Sequence, residues 1–195
     1  MRPKEPHIIT KRTVVRMATR NDRDNIISYY MNNRDRIAPV SPTWPEDFFT
    51  KKFWNRQIDR NLEEFYNDIS VRFFIFDRSK RKDPAIMGNI SLSGILRGAA
   101  QFCYLGYGVD RDWEGQGLMT ETVSAVVQYA FDELNMHRVM ANYRPTNERS
   151  GRLLHRLGFV VEGYARDYLY LDGMWQDHIM ATMINPKWKL SAWRR

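Results

Sequence analysis

A chain of 195 residues, 43% hydrophobic and 13% aromatic, is the right size for one folded core and too apolar for an intrinsically disordered polypeptide. One cysteine, Cys103, excludes an intrachain disulfide framework. No apolar run approaches the roughly 20 residues of a membrane span, and the first stretch lacks a signal-peptide core, so a cytoplasmic protein with no membrane partner is expected. The 30 Lys and Arg against 23 Asp and Glu give a net charge of +7, which draws anionic partners without naming one.

We read residues 1–195 as a single domain, with 1–10 as a flexible arm. The β-branched run from Arg12 to Met17 predicts a strand. A helix follows to about Asn33, with Asn21 and Asp22 as caps and Ile26, Ile27, Tyr30 and Met31 at helical spacing. Pro39, Pro42 and Pro45 interrupt it. Between Glu46 and Asn67, Phe49, Phe53, Leu62, Phe65 and Tyr66 predict a second helical region. Val71–Phe76 and Ile86–Leu96 read as a hairpin across a charged Asp77–Pro84 turn. After a turn at Gly98, Phe102–Val109 reads as a strand whose Gly106 and Gly108 mark a bulge or a close backbone approach.

Val123, Val126, Val127, Ala130, Phe131 and Leu134 then form one helical stripe, i to i+11. A strand at 138–143 precedes a helix opened by Pro145-Thr146-Asn147, with Ser150, Leu153, Leu154 and Leu157 on one face and Gly158 as its stop. Val160–Leu171 and Met174–Ile184 flank Asp172-Gly173, the dipeptide favoured in two-residue hairpin turns.

A strand, the turn Glu114-Gly115-Gln116-Gly117-Leu118-Met119 and a long helix follow one another without a linker. That order aims free backbone N–H groups, and the positive end of the helix dipole, at an anion. The turn lacks the Lys-Ser/Thr of a P-loop and the G-x-G-x-x-G of a dinucleotide fold, which disfavours ATP and NAD. Four scattered histidines offer no zinc spacing, so no metal is expected. Asp177 and His178 point to opposite faces of a strand and form no dyad.

Tyr104 to Met119, Asn147-Glu-Arg-Ser150 and Leu157 to Gly163 resemble the GNAT acetyltransferase superfamily in order and spacing. The resemblance implies an α/β fold, a mostly antiparallel twisted sheet splayed in the middle with helices on both faces, and acetyl-CoA as cosubstrate. It implies that the backbone of Gly115, Gln116, Gly117, Leu118 and Met119 holds the coenzyme A pyrophosphate. Tyr107, Gly108 and Val109 would pair with pantetheine, Asn147 would bind it through its amide, and Ser150 would face the thiol. Glu114 and Met119 depart from the superfamily turn, which usually begins with Arg or Gln and ends with Gly or Ala. The segments His137–Tyr143, Gly163–Tyr168, Asp172–His178 and Arg34–Pro45 resemble the RimJ branch, which implies the N-terminal alanine of a small-subunit ribosomal protein as acceptor, with the ribosome or a pre-ribosomal particle as partner.

The chemistry asks for a neutral amine, an oxyanion site and hydrogen-bond support for the leaving thiolate. Ser150 is the candidate for the last, and a backbone N–H near Gly108 or Val109 for the oxyanion. For a base, the position reached by counting is Leu169, with Glu162 and Asp167 as neighbouring carboxylates. Tyr104, Tyr107 and Tyr164 read as packing residues or groove walls, and Cys103 as a buried hydrophobe. Two alternatives stand beside this reading: a small-molecule amine as acceptor, and a ribosome- or RNA-binding assembly factor with secondary catalysis. No RNP-type motif supports the second, and no specific DNA binding is expected.

Overall fold

The computed structural model describes residues 3–80 and 84–190, which leaves part of the charged turn before Pro84 outside the described residues. Its strands are β1 (His7–Ile9), β2 (Thr13–Met17), β3 (Val71–Asp77), β4 (Ile86–Leu96), β5 (Phe102–Val109), β6 (Arg138–Tyr143), β7 (Val160–Leu171) and β8 (Met174–Ile184). The helices are α1 (Arg23–Asn32), α2 (Arg34–Ile37), α3 (Lys51–Tyr66), α4 (Leu118–Asp132) and α5 (Glu148–Leu157).

The strands form one eight-stranded sheet in the order β1-β2-β3-β4-β5-β6-β8-β7. Every neighbouring pair is antiparallel except β5 with β6. That parallel pair has only three register partners, Phe102 with Arg138, Cys103 with Val139 and Tyr104 with Met140. Beyond Tyr104 the two strands part, while β5 stays paired with β4 as far as Val109. The expected sheet, mostly antiparallel and splayed at its centre, is the one observed.

Helices cover both faces because β3 is apolar on both. Phe73 and Ile75 join the core with the α4 stripe and with Cys103, Leu105 and Leu154. Phe74 and Phe76 turn the other way, toward Ile26 and Tyr29 of α1 and Trp54 and Ile58 of α3. A strand buried on both faces reads as a continuous hydrophobic run, which is why 71–76 carries so little alternation. All six residues of the predicted α4 stripe are buried.

Three expectations are corrected. Residues 7–9, assigned to an arm, form the edge strand β1 against Val14–Arg16; three residues are too few for a period-2 pattern to register. Asp22 does not cap α1 with its side chain; its carboxylate takes both Arg16 Nη atoms, at 2.8 and 2.7 Å, and the N–H and Oγ1 of Thr19. The buried face of α3 is Trp54, Ile58, Asn61 and Phe65, so of the predicted residues Phe65 alone is fully buried.

Candidate active site

The segment after β5 is pinned before it reaches the turn. Asn33, fully buried at the end of α1, donates to Asp110 Oδ2 at 2.6 Å and accepts from the Arg111 N–H at 3.0 Å. Asp110 caps a short 3-10 turn over Arg111–Trp113. Gly115 and Gly117 then adopt left-handed conformations, φ +70° and +73°, and a Cβ at either would meet no atom within 4 Å. That open space lies where the first turn of α4 leaves its N–H groups without intrahelical partners. Among the described residues the amides of 115–119 donate no hydrogen bond. The turn is held from behind: Arg12 Nε pairs with Glu121 at 2.8 Å while its Nη1 donates to the Gln116 carbonyl at 2.9 Å.

A cleft of about 500 Å³ opens from this cradle to the parted strands. Its walls include Tyr107, Gly108 and Val109 of β5, Gly115, Gly117, Leu118 and Met119 of the turn, and Asn147 and Ser150 of α5. Nine of the ten site residues named from the sequence are thus brought together. Gln116 is not on the wall; its side chain folds back to donate to the Asp112 carbonyl at 2.8 Å, which leaves its amide as the group it can offer. Leu118 and Met119 keep their side chains in the core, 1% and 8% exposed, so their contribution is also through backbone. This explains why Met119 can stand where the resemblance has Gly or Ala.

At the far end of the cleft, Ser150 Oγ and Tyr107 Oη lie 2.7 Å apart. Odd-numbered residues of β5 face α4 and α5, which carries the Tyr107 ring to Ser150. Gly151 lets α5 come this close: a Cβ there would fall 2.9 Å from the Tyr143 ring of β6. Asn147 caps α5, its Oδ1 accepting from the Ser150 N–H at 3.1 Å. Burial pushes the Tyr107 phenol up to about 12, against the lowering effect of its bond to Ser150. At neutral pH the phenol therefore stays protonated.

On the opposite face, β4 side chains crowd Gly106 and Gly108: a Cβ would come within 3.1 Å of Ser91 Oγ and 2.9 Å of Asn89 Oδ1 respectively, so those side chains would have to shift. Of the two alternatives read from the sequence, close approach is the one found; the β4–β5 irregularity lies between Ser93 and Leu96 instead. A second cavity, about 320 Å³, adjoins this face between α3 and β3–β4, with Tyr30, Trp54, Asn61, Glu64, Asn89 and Ser91 among its walls. Glu162 and Asp167 lie outside both cavities. Glu162 binds Arg138 and Thr182, and Asp167 sits at a left-handed bulge with its N–H on Asp177.

Tyr164 is 57% exposed, bonded to Asp177, and walls neither cavity, whereas half-buried Tyr104 stacks edge-on against Phe102. Cys103 is fully buried and burial raises its thiol to about 12, which makes it a packing residue. Reasoning from sequence missed Arg36, Ile37 and Val40 of the α2 segment, Trp113, and the α5 arginines Arg149, Arg152 and Arg156, all on the cleft wall. The α5 set had a signal, a basic row at i, i+3 and i+7. Arg36 had none, since its contact crosses 78 positions of sequence.

The sheet parts beside a short parallel pair, with an amide cradle at the start of the next helix and hydroxyls at the gap, the layout of the fold class that its structural relatives share. The chain belongs to the GNAT acetyltransferase family: residues 12–160 match the acetyltransferase (GNAT) domain. It is 38% identical over 182 residues to the ribosomal protein uS5-alanine N-acetyltransferase of Escherichia coli K12, covering 93% of this chain and 92% of that protein. The crystal structure of the ribosomal-protein-S5-alanine acetyltransferase of Vibrio fischeri superposes with a TM-score of 0.87 at 34% identity, over 94% of this chain and 99% of that one. Mycobacterium smegmatis RimJ, solved with CoA-disulfide, shares the fold at 21% identity, with a TM-score of 0.82 over 92% of this chain and 86% of that one.

Proposed function

We propose that the enzyme transfers an acetyl group from acetyl-CoA to the N-terminal α-amine of a small-subunit ribosomal protein, with alanine as the acceptor residue. The cleft carries this reading, because it joins an amide cradle to the Ser150–Tyr107 pair along the free edge of β5. The Escherichia coli relative is named for the alanine of uS5, and we extend that acceptor to this chain. It implies a cytoplasmic enzyme. The charge of +7 supports docking on a ribosomal or pre-ribosomal particle through a salt-sensitive contact.

When bound, acetyl-CoA supplies a thioester whose carbonyl carbon forms a bond to the amine nitrogen as its bond to sulfur breaks. In this proposal the amides of Gly115 to Met119 hold the diphosphate, and the exposed backbone of Tyr107, Gly108 and Val109 holds the pantetheine as a short strand. Asn147 spends Oδ1 on its cap and offers Nδ2 to a pantetheine carbonyl. A backbone N–H near Gly108 or Val109 takes the oxyanion. Tyr107, held protonated, donates to Ser150 Oγ and leaves the serine hydrogen to meet the sulfur as charge develops there. An α-amine, with a reference pKa of about 7.7 to 8, is partly neutral near pH 7, where a lysine at about 10.4 is not. Water or a weak base can therefore accept its proton. The face bearing Gly106 and Gly108 is the side from which the amine approaches.

The test offers acetyl-CoA with an Ala-initiated ribosomal-protein peptide, the same peptide with a blocked α-amine, and spermidine. Turnover of the first alone is expected. Turnover of spermidine equal to or above that of the peptide overturns the acceptor assignment.

A further inference from the structure

Glu114 stands where the superfamily turn usually carries Arg or Gln, and its own charge is wrong for a phosphate. Both of its oxygens are taken. Oε1 accepts from Arg36 Nη2 of α2, and Oε2 accepts from Arg149 Nη1 of α5 at 2.7 Å. Both guanidinium groups line the same cleft as Gly115 and Gly117. One carboxylate shared by two cations leaves the entrance to the cradle net positive. A guanidinium carries five N–H donors in a flat fork that matches phosphate oxygens, and Glu114 takes a single donor from each arginine. Arg36 Nη1 is buried and has no partner among the described residues. A buried charged donor left unpaired in a native fold needs an acceptor from elsewhere.

Two of the neighbouring cations are differently engaged. Arg12 spends its fork on Glu121 and the Gln116 carbonyl, and Arg152 pairs with Glu148 along α5 at 2.9 Å. Among the described residues, Arg36 and Arg149 are the arginines bonded to the Glu114 carboxylate, one from each of two helices.

We propose that Arg36 and Arg149 bind a phosphate of the cofactor's diphosphate, and that Glu114 is the positioning residue that holds them beside the Gly115–Gly117 amides. The proposal rests on the acetyl-CoA reading above. The sign of one substitution separates it from plain charge repulsion. Removing an anion beside a polyanion site should tighten binding by charge alone, whereas removing the anchor of two arginines weakens it.

The experiment titrates wild type, Arg36→Met, Arg149→Met, Glu114→Gln and the double variant Glu114→Gln/Arg36→Met with coenzyme A by calorimetry. It also measures kcat and KM with acetyl-CoA and with S-acetylpantetheine, which has no phosphate. Arg36→Met and Glu114→Gln should each lose about 10- to 100-fold in coenzyme A affinity, the scale of one charge-assisted hydrogen bond. The double variant should fall no more than about twofold below the weaker single one, since Glu114→Gln already releases Arg36. kcat at saturating acetyl-CoA, and kcat/KM with S-acetylpantetheine, should stay within about twofold of wild type. Unchanged or tighter coenzyme A binding by Glu114→Gln overturns the proposal, as does an equal loss with S-acetylpantetheine. Wild type that fails to bind coenzyme A overturns the cofactor reading and this assignment with it. Wild type that binds while the variants match it overturns this assignment alone.

Discussion

Replacing Ser150 with alanine takes one hydroxyl from the cleft and leaves its scaffold standing. The cap of α5 survives, because Asn147 accepts from the Ser150 backbone N–H rather than from its hydroxyl. What is lost is the 2.7 Å link to Tyr107 and, on our reading, the donor that meets sulfur in the transition state. A hydrogen bond to a charged group is worth about 1.5 to 3 kcal/mol, and about 1.4 kcal/mol is one decade of rate, so kcat should fall roughly 10- to 150-fold. Coenzyme A affinity should hold, since the amide cradle lies at the other end of the cleft. Tyr107→Phe should cost less, and the double variant should be no more than about twofold slower than Ser150→Ala, as expected when one residue acts through the other. Because the Tyr107 phenol is held at about 12, the ratio of wild-type to variant kcat should be flat from about pH 6 to about pH 9.5. Steady-state thiol release with an Ala-initiated peptide, calorimetric coenzyme A binding and a thermal melt measure all of this. Turnover of Ser150→Ala within twofold of wild type, or a fall in kcat matched by an equal fall in coenzyme A affinity, refutes the reasoning.

Gly117→Glu forces a side chain onto φ +73° and sets a carboxylate at the cradle, so coenzyme A binding by calorimetry should drop more than about tenfold. Gly151→Ala places a methyl group 2.9 Å from the Tyr143 ring, which pushes α5 outward; kcat should fall severalfold while the circular dichroism spectrum is retained. Asp22 is 5% exposed, and although burial raises its pKa, the bonds from Arg16 and Thr19 outweigh it and hold the carboxyl below its usual value. Its stabilisation is thus present above about pH 4 and lost as pH falls through the lower folded value. Asp22→Asn should cost about 2 to 3 kcal/mol by urea denaturation at neutral pH, discounted for the partial exposure of Arg16, and the difference should shrink toward pH 3. Cys103, fully buried with its thiol raised to about 12, should resist iodoacetamide at about pH 8 in the native protein and react completely in denaturant.

What was legible in the sequence is what local physics decides. The stripe of α4, the strands β3 to β5 and the β7–β8 hairpin over Asp172-Gly173 each carry their signal within one window, and Asp172 and Gly173 take the positive φ values, 52° and 78°, that such a turn needs. The backbone half of the cradle was legible for the same reason, since glycines before a helix define it without long-range partners. Side-chain roles were harder. Gln116, Leu118 and Met119 turn away from the cleft, one onto the Asp112 carbonyl and two into the core, and neither fate is written in the turn itself. Asn147, which opens α5, spends its side-chain oxygen on capping that helix. The wall formed by Arg36 and its neighbours, like the tie of Asn33 to Asp110, joins segments about 77 positions apart, which no window of sequence can span. Those contacts follow only once the sheet has brought α1, α2 and the end of β5 together.

The parting of β5 from β6 also bears on how the protein resists heat. Three register pairs join the five-stranded half of the sheet to the three-stranded half, so the edge of β5 beyond Tyr104 lacks a partner strand among the described residues. On the proposed reading a pantetheine chain along that edge would be a removable strand, and its binding energy would add to the stability of the sheet by mass action. At one hundred times its dissociation constant the ligand contributes about 2.7 kcal/mol, or about 5 to 10 °C in melting temperature for a chain of this size. On that reading the thermal tolerance of the enzyme should follow the acetyl-CoA and coenzyme A supply around it, and its turnover by proteases should rise when that supply runs down.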